Sequence, residues 1–345
     1  MKKTCLFIAA VLLVTLLASC ATAPKEDGIV HVTTFDEFIA AFDEAQANPQ
    51  KNTIYLENDI VWDFTKYAGG DYVFMAKATG LTIDLGGHTI SEVPKNAFDL
   101  TGDSFVLQNG TILGNDANNR YSVNINYEGT NGLKDQALAH VPAAYDEADP
   151  VWAKRVIVHD IVATGMLCGY STVEIYDCEF TGGQYRGLVM QGSSGIVRNV
   201  KAVTMEEGAS AGFVAHSYGT VLVQGECEFK GKFGVYSAQC STLNFAEDAV
   251  VQIGAWGTYG IYLEKQGFTT IGQGVTVQPA AGKATFYFRT GSTLVINKGA
   301  VVLDGAGAEL PNPIPADNLN INDTVGESDA DWKGAGVASV LTDNR

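Results

Sequence analysis

Gly165-Met-Leu-Cys-Gly169, Gly187-Leu-Val-Met-Gln191, Gly212-Phe-Val-Ala-His216, Gly234-Val-Tyr-Ser-Ala238, Gly260-Ile-Tyr-Leu-Glu264 and Ala284-Thr-Phe-Tyr-Phe288 are variants of one phrase. Their starts lie 22, 25, 22, 26 and 24 residues apart, a period characteristic of solenoids. A second phrase sits between them, at Thr172-Val-Glu-Ile, Gly195-Ile-Val-Arg, Thr220-Val-Leu-Val, Thr242-Leu-Asn-Phe, Phe268-Thr-Thr-Ile and Thr293-Leu-Val-Ile. Both are short, rich in β-branched and aromatic residues, and bounded by Gly and Ser, so each reads as a strand. No stretch of helical length separates them, which excludes alternating βαβ units. A coil of about 24 residues holding several strands and tight turns is what a parallel β-helix requires.

The composition agrees with one elongated body. The chain has 345 residues, 46% of them hydrophobic and 18% charged, with 38 Gly, so it is globular and glycine-rich rather than disordered. Each coil buries its apolar edge only against its neighbours, so a continuous repeat argues against two compact domains. The net charge of -17 argues against nucleic acid as a partner, because phosphate binding needs a basic footprint. It also disfavours a polyanionic ligand unless cations or a local basic patch intervene.

Met1-Lys2-Lys3 followed by an apolar run from Cys5 to Leu17 has the charged and hydrophobic regions of a secretory signal. The run is short for a membrane span. It ends in Leu17-Ala18-Ser19-Cys20, which resembles the lipobox of bacterial lipoproteins. The resemblance implies removal of residues 1–19, lipidation of Cys20 and a short tether over residues 20–30. The protein is then expected in the cell envelope, held at a bacterial membrane by its N-terminal lipid and facing the periplasm or the cell exterior.

Four further cysteines remain, Cys168, Cys178, Cys227 and Cys240. On the repeat, Cys178 and Cys227 fall two coils apart, roughly 9 to 10 Å, which exceeds the reach of a disulfide. Buried free thiols are the expectation, and the lack of a Cys-x-x-Cys pair argues against structural zinc.

Phe35, Phe38, Ile39 and Phe42 recur at helical spacing behind Thr33 and Thr34, predicting an N-capped amphipathic helix over Thr34 to Ala47 that covers the open end of the solenoid. Thr53-Ile-Tyr-Leu and Asp59-Ile-Val-Trp give the first strands. Leu81-Thr-Ile-Asp-Leu-Gly-Gly-His-Thr-Ile90 and Phe105-Val-Leu-Gln-Asn-Gly-Thr-Ile-Leu113 follow as two coils of the second phrase, 24 residues apart. This order of helix, Thr-Ile-Tyr-Leu, Gly-Gly-His-Thr-Ile and Asn-Gly-Thr-Ile resembles the right-handed β-helix proteins of the pectin-lyase-like superfamily, over about residues 30 to 307. The expected fold is all-β, a right-handed parallel β-helix of nine or ten coils over 31–310 with an N-terminal capping helix. The general handedness of parallel crossovers gives the same hand independently.

Residues 115–154 interrupt the ladder as a polar, Ala-rich insertion, expected to lie as a loop over one face with Tyr127, Tyr145 and Trp152 available as a wall. Asn115, Asp116, Asn118, Asn119, Asp146, Glu147 and Asp149 offer oxygen ligands for calcium, but without a regular ligand spacing they read more simply as solvated turns, and no metal site or cofactor is expected. Pro311, Pro313 and Pro315 mark the exit from the repeat, and 311–345 is expected as a C-terminal cap or tail.

Period-two alternation sorts the first phrase into faces. Met166, Leu188, Phe213, Val235 and Ile261 stack inward, as do Cys168, Met190, Ala215, Ser237 and Leu263. Leu167, Val189, Val214, Tyr236, Tyr262 and Phe286 point outward in one row; Gly169, Gln191, His216, Ala238, Glu264 and Phe288 form the next, with Lys265 and Arg289 at the strand ends. An outward aromatic row beside polar groups marks a binding surface. Glycan contacts are assigned to Tyr236, Tyr262, Phe286, Gln191, His216 and Glu264. The competing reading is that loop 115–154 packs over the row and buries it.

The superfamily resemblance implies an active-site cleft on one sheet's outer face, but the residues depart from its enzymes. The Asn-Thr-Asp, Asp-Asp, His-Gly and Arg-Ile-Lys segments of polygalacturonase-like hydrolases do not occur, and Val158-His159-Asp160 lacks the Trp of the pectate-lyase-like Trp-Ile-Asp-His segment. His159 therefore reads as structural. Lyase chemistry would cast Lys265 or Arg289 as the base near Glu264. A hydrolase would need His216 and Glu264 across roughly 10 Å, beyond the carboxyl separation of inverting enzymes. Glu174, Asp177, Glu179, Glu226 and Glu228 read as a solvated charged edge. The functional expectation is a glycan-binding or surface-interaction lipoprotein without classical catalytic residues; the alternatives are a polysaccharide lyase or glycoside hydrolase, and a structural or adhesin-like surface protein.

Overall fold

A computed structural model describes residues 28–48, 52–63, 74–76, 80–94, 98–100, 104–115, 121–125, 155–206, 208–323 and 337–345. The leader, Cys20 and most of the tether lie outside the described residues, as do nearly all of the 115–154 insertion with Tyr127, Tyr145 and Trp152, and the calcium candidates other than Asn115.

The chain winds as a parallel β-solenoid of about eight turns, close to the nine or ten expected. Three ladders of parallel strands run along it. The first is a ten-stranded sheet that includes Met166–Gly169, Leu188–Gln191, Ala211–His216, Phe233–Ala238, Ile261–Glu264 and Phe286–Phe288. The second carries the second phrase, from Ile29–Val32 on Thr53–Leu56 through to Thr293–Ile296. The third, not anticipated from the sequence, stacks the later halves of Arg155–Ala163, Thr172–Thr181 and Ser194–Val203 on Glu226–Gly231, Val250–Ala255, Val275–Gln278 and Val301–Val302.

In four successive coils a single residue makes the corner between the second and third ladders. Asn109, Asp160, Asp177 and Asn199, neighbours in register, have φ of 61°, 53°, 55° and 53°. One left-handed residue bends a strand sharply without ending it, and short polar side chains tolerate that region best. Asn199 Nδ2 donates to Asp177 Oδ1 at 2.8 Å, so the corner residues also bond along the axis. The corner after the first ladder is tighter. Ser193 and Ser241 are fully buried there, and at Gly267 an added Cβ would lie 2.3 Å from the Ser237 carbonyl oxygen, so only a very small residue fits.

Alternation then fills the interior. Val173, Ile175, Cys178 and Phe180 of one strand point inward between exposed or half-buried neighbours. Their counterparts in successive coils, together with contacts across the interior such as Phe213 of the first ladder against Phe229 of the third with ring centroids 4.7 Å apart, build one continuous core. The capping helix α1, Phe35–Ala47, covers the first coil. Thr34 Oγ1 accepts from Glu37 N–H, and the Glu37 carboxylate accepts from Thr33 N–H at 2.7 Å, fixing the first turn. Phe38 and Phe42 are fully buried, and Phe35 meets Trp62 at 5.0 Å; each buried ring stabilises the cap by about 2–3 kcal/mol.

Residues 319–321 and 340–343 add further strands to the ladders. Leu319–Ile321 pairs with Phe286–Phe288, and Val340–Asp343 with Thr293–Ile296, both parallel. Arg345 pins this last coil by bonding the Asp343 carboxylate at 2.9 and 3.0 Å and the carbonyls of Leu310 and Pro311 at 3.1 Å.

Candidate functional site

The outward row of the first ladder runs Leu167, Val189, Val214, Tyr236, Tyr262, Tyr287. Tyr287, and not the expected Phe286, continues the row. Ile261 pairs with Phe286 and Tyr262 with Tyr287, a step of 25 residues rather than 24, so Phe286 and Phe288 are fully buried and Tyr287 takes the outward place. A slip of one residue exchanges the faces of a strand. The same correction puts Arg289, rather than Phe288, beside Glu264 in the next row.

The row has two halves. Leu167, Val189 and Val214 are 0–3% exposed and form a satellite cluster with Tyr121 and Ala211, against which Tyr185, Phe233 and Tyr236 pack. Tyr236, Tyr262 and Tyr287 are only partly buried, as are Phe233 at the start of its strand and Tyr259 in the turn that enters the next. These rings form a column along the axis. Tyr262 and Tyr287 stack at 4.4 Å with planes 20° apart, Tyr236 meets Tyr262 edge-on at 5.2 Å, and Tyr259 and Phe233 flank them at 4.9 and 5.0 Å. Parallel strands lie one stacking distance apart, so aromatic residues in register stack on each other. Facing surfaces of Tyr262 and Tyr287 are therefore covered, and their edges face outward.

Glu264 sits at the centre of this group with its side chain 12% exposed. Tyr236 OH donates to Glu264 Oε1, Tyr262 OH donates to Oε2 at 3.2 Å, and Arg289 Nη1 lies 3.8 Å from Oε2. Burial raises the Tyr236 hydroxyl well above its ordinary pKa, and the Glu264 charge adds to the effect; the same causes raise Tyr262. Both phenols are thus held as neutral donors. Asn320 Nδ2 donates to Tyr259 OH at 2.9 Å and Asn322 Nδ2 to Tyr287 OH at 3.4 Å, so hydroxyls across the patch are fixed by neighbours.

Other predicted site residues divide. Gln191 is 8% and His216 7% exposed, so neither presents an open binding edge. His216 Nδ1 faces Ser217 Oγ at 2.8 Å and Gln239 Oε1 at 3.3 Å, which turns the ring into the corner column, and the strand Phe233–Ala238 lies between it and Glu264. Lys265 occupies a left-handed corner position, φ 50°, with its backbone N–H on the Arg289 carbonyl. In register, Glu264 is flanked by Ala238 and Arg289, so no second carboxylate adjoins it within this row of described residues.

His159 is satisfied in place, between Asp160 at 2.7 Å and Gln108 at 2.9 Å and stacked on Tyr176 at 4.8 Å. The acids of the third ladder line an open groove with Lys201, which pairs with Glu179 at 2.9 Å. Among the described residues no group of His, Cys, Asp or Glu is arranged to hold a metal ion. Cys168, Cys178 and Cys227 are buried free thiols, and Cys240 is a half-buried one.

Comparisons of the chain with protein-family models, with curated proteins and with solved structures returned no match. The solenoid is compatible with the pectin-lyase-like resemblance, but one fold hosts many functions, and function has to be argued from the site.

Proposed function

We propose that this chain is a lipid-anchored surface protein of the cell envelope that contacts glycan, without catalysis, through the tyrosine group of the first ladder. The observation that carries this reading is a part-exposed patch of Phe233, Tyr236, Tyr259, Tyr262 and Tyr287 organised around Glu264 and Arg289. Tyrosines locked by stacking and hydroxyl bonds lose little entropy when a ligand settles on them. A sugar chain lying along the column buries its C–H faces against ring edges while Arg289 and the remaining lone pairs of Glu264 meet its hydroxyls. Among the described residues, the register neighbours of Glu264 are Ala238 and Arg289, neither of them the second acid that catalysis by two carboxylates uses.

Incubating the protein with a polysaccharide panel, with and without calcium, tests both claims. Retention without new unsaturated or reducing ends supports the reading, while release of such ends replaces it with a lyase or hydrolase. Retention that survives replacement of both Tyr236 and Tyr262 by Ala removes the tyrosine group from the account. Cys20→Ala is expected to release the protein from membranes, and continued tight attachment would contradict the anchor.

A further inference from the structure

On the outer face of the third ladder, Lys230, Gly254 and Gln278 are neighbours in register, and Gly254 leaves a gap between two long side chains. A glycine inside a strand costs stability and ordinarily marks a bulge, a close backbone approach or the approach of a ligand. The first two do not apply. Pairing is unbroken on both sides, Phe229–Gly231 on Ile253–Ala255 and Val251–Gly254 on Val275–Gln278. An added Cβ at Gly254 would meet nothing nearer than the Lys230 stem, Cγ at 3.6 Å and Cδ at 3.8 Å, and its φ lies outside the left-handed region. Many glycines elsewhere in the strands face backbone at under 3 Å; Gly254 does not.

The gap opens into a groove of about 410 Å³ walled by Trp256, Gln252 and Gln278, with Glu228 at its rim, a volume at the lower end of the range for small-molecule sites. Lys230 Nζ stands 5.6 Å from the Trp256 ring centroid. No hydrogen bond among the described residues engages the side-chain amides of Gln252 or Gln278, whereas hydroxyls in the tyrosine group are already bonded.

We propose that the Gly254 notch is a second binding site, taking a neutral, hydroxyl-rich ring of pyranose size. Two free amides each offer a donor and an acceptor suited to adjacent hydroxyls, and the indole supplies an apolar wall for C–H groups. Glu228 and Lys230 bring opposite charges to the rim, which favours a neutral ligand over an ion. The site lies on a different ladder from the tyrosine group and does not rest on it.

The test titrates the full chain with a panel of neutral hexopyranosides and their N-acetyl derivatives, following indole fluorescence and heat. At least one member is expected to bind, and Gly254→Val is expected to weaken it by at least about tenfold while leaving unfolding unchanged or shifted upward. Should Gly254→Val not fold, the Gln252→Ala/Gln278→Ala variant carries the same prediction. Tyr262→Ala must leave this binding intact, which separates it from the tyrosine group. A panel without a binder, equal binding by Gly254→Val or by the double variant, or equally tight binding of the corresponding uronic acids overturns the proposal.

Discussion

Leu167, Val189 and Val214 occupy the same outward row as Tyr236, Tyr262 and Tyr287, yet the first three are closed to solvent and the last three are part-open. Direction along a strand is a local property, set by alternation. Exposure depends on what packs above the row. A single row can therefore behave as core at one end and as surface at the other, and substitutions should tell the two ends apart.

The sharpest contrast lies between adjacent residues at the open end. Phe286 fills the core and Tyr287 stands on the outside of the same strand. Phe286→Ala is expected to cost about 3–5 kcal/mol, the usual price of deleting a buried ring, whereas Tyr287→Ala costs roughly 1 kcal/mol and weakens glycan retention. Chemical unfolding of both variants checks the corrected register. Equal costs would restore Phe286 to the outward row.

Next in size is the contrast between the two ends. Leu167→Ala, in the closed half, is expected to destabilise by about 2–3 kcal/mol and leave retention unchanged. Tyr262→Ala should do the reverse, with a stability loss of about 1 kcal/mol and retention lost. If Leu167→Ala abolished retention while leaving stability intact, the closed half would belong to the binding surface.

Thiol chemistry gives a smaller, graded readout of the same idea. Burial pushes Cys178 up to about 12 and Cys227 up to about 11, and raises Cys168 further, so none is a ready nucleophile near neutral pH. Half-buried Cys240 is expected to react first with an alkylating reagent and the other three only on unfolding. Rapid native labelling of Cys168 would mean that the core opens behind the row.

How far these contrasts could be read in advance depended on scale. Repeats, the capping helix and the inward stacks of Met166 and Cys168 were legible because each rests on local periodicity. The third ladder is not, because in the earlier coils its strands run on from the second ladder past a single corner residue, and outward Glu179, Lys201, Glu228 and Lys230 make them look like a charged edge. Val200, Ala202, Cys227 and Phe229 alternate inward, and that signal was available. Phe286 reads as outward only when Ala284 is set against Gly260; Ile261-Tyr-Leu263 over Phe286-Tyr-Phe288 matches side chain for side chain and gives the observed register. Alternation shows the row of His216 and Gln191 but not their depth; for His216 that depends on the corner partners Ser217 and Gln239, which no pattern of alternation reveals.

Alkaline titration offers the finest test, because it ranks residues within the open half itself. Tyr236 and Tyr262 have folded pKa values raised above that of a free tyrosine, chiefly by burial and then by the Glu264 charge. An acid whose pKa is raised on folding keeps its full contribution to stability below the unfolded value, about pH 10, and loses it as pH climbs toward the folded value. Stability should therefore decline above about pH 10, and tyrosinate absorbance from these two rings should appear late or only with unfolding. Glu264→Gln removes the charge but keeps acceptor capacity through its amide oxygen, so both hydroxyls should ionise earlier while remaining buried. If Glu264→Gln left the tyrosinate transition where it was, burial alone would account for the shift, and Glu264 would lose its place as the organising charge of the patch.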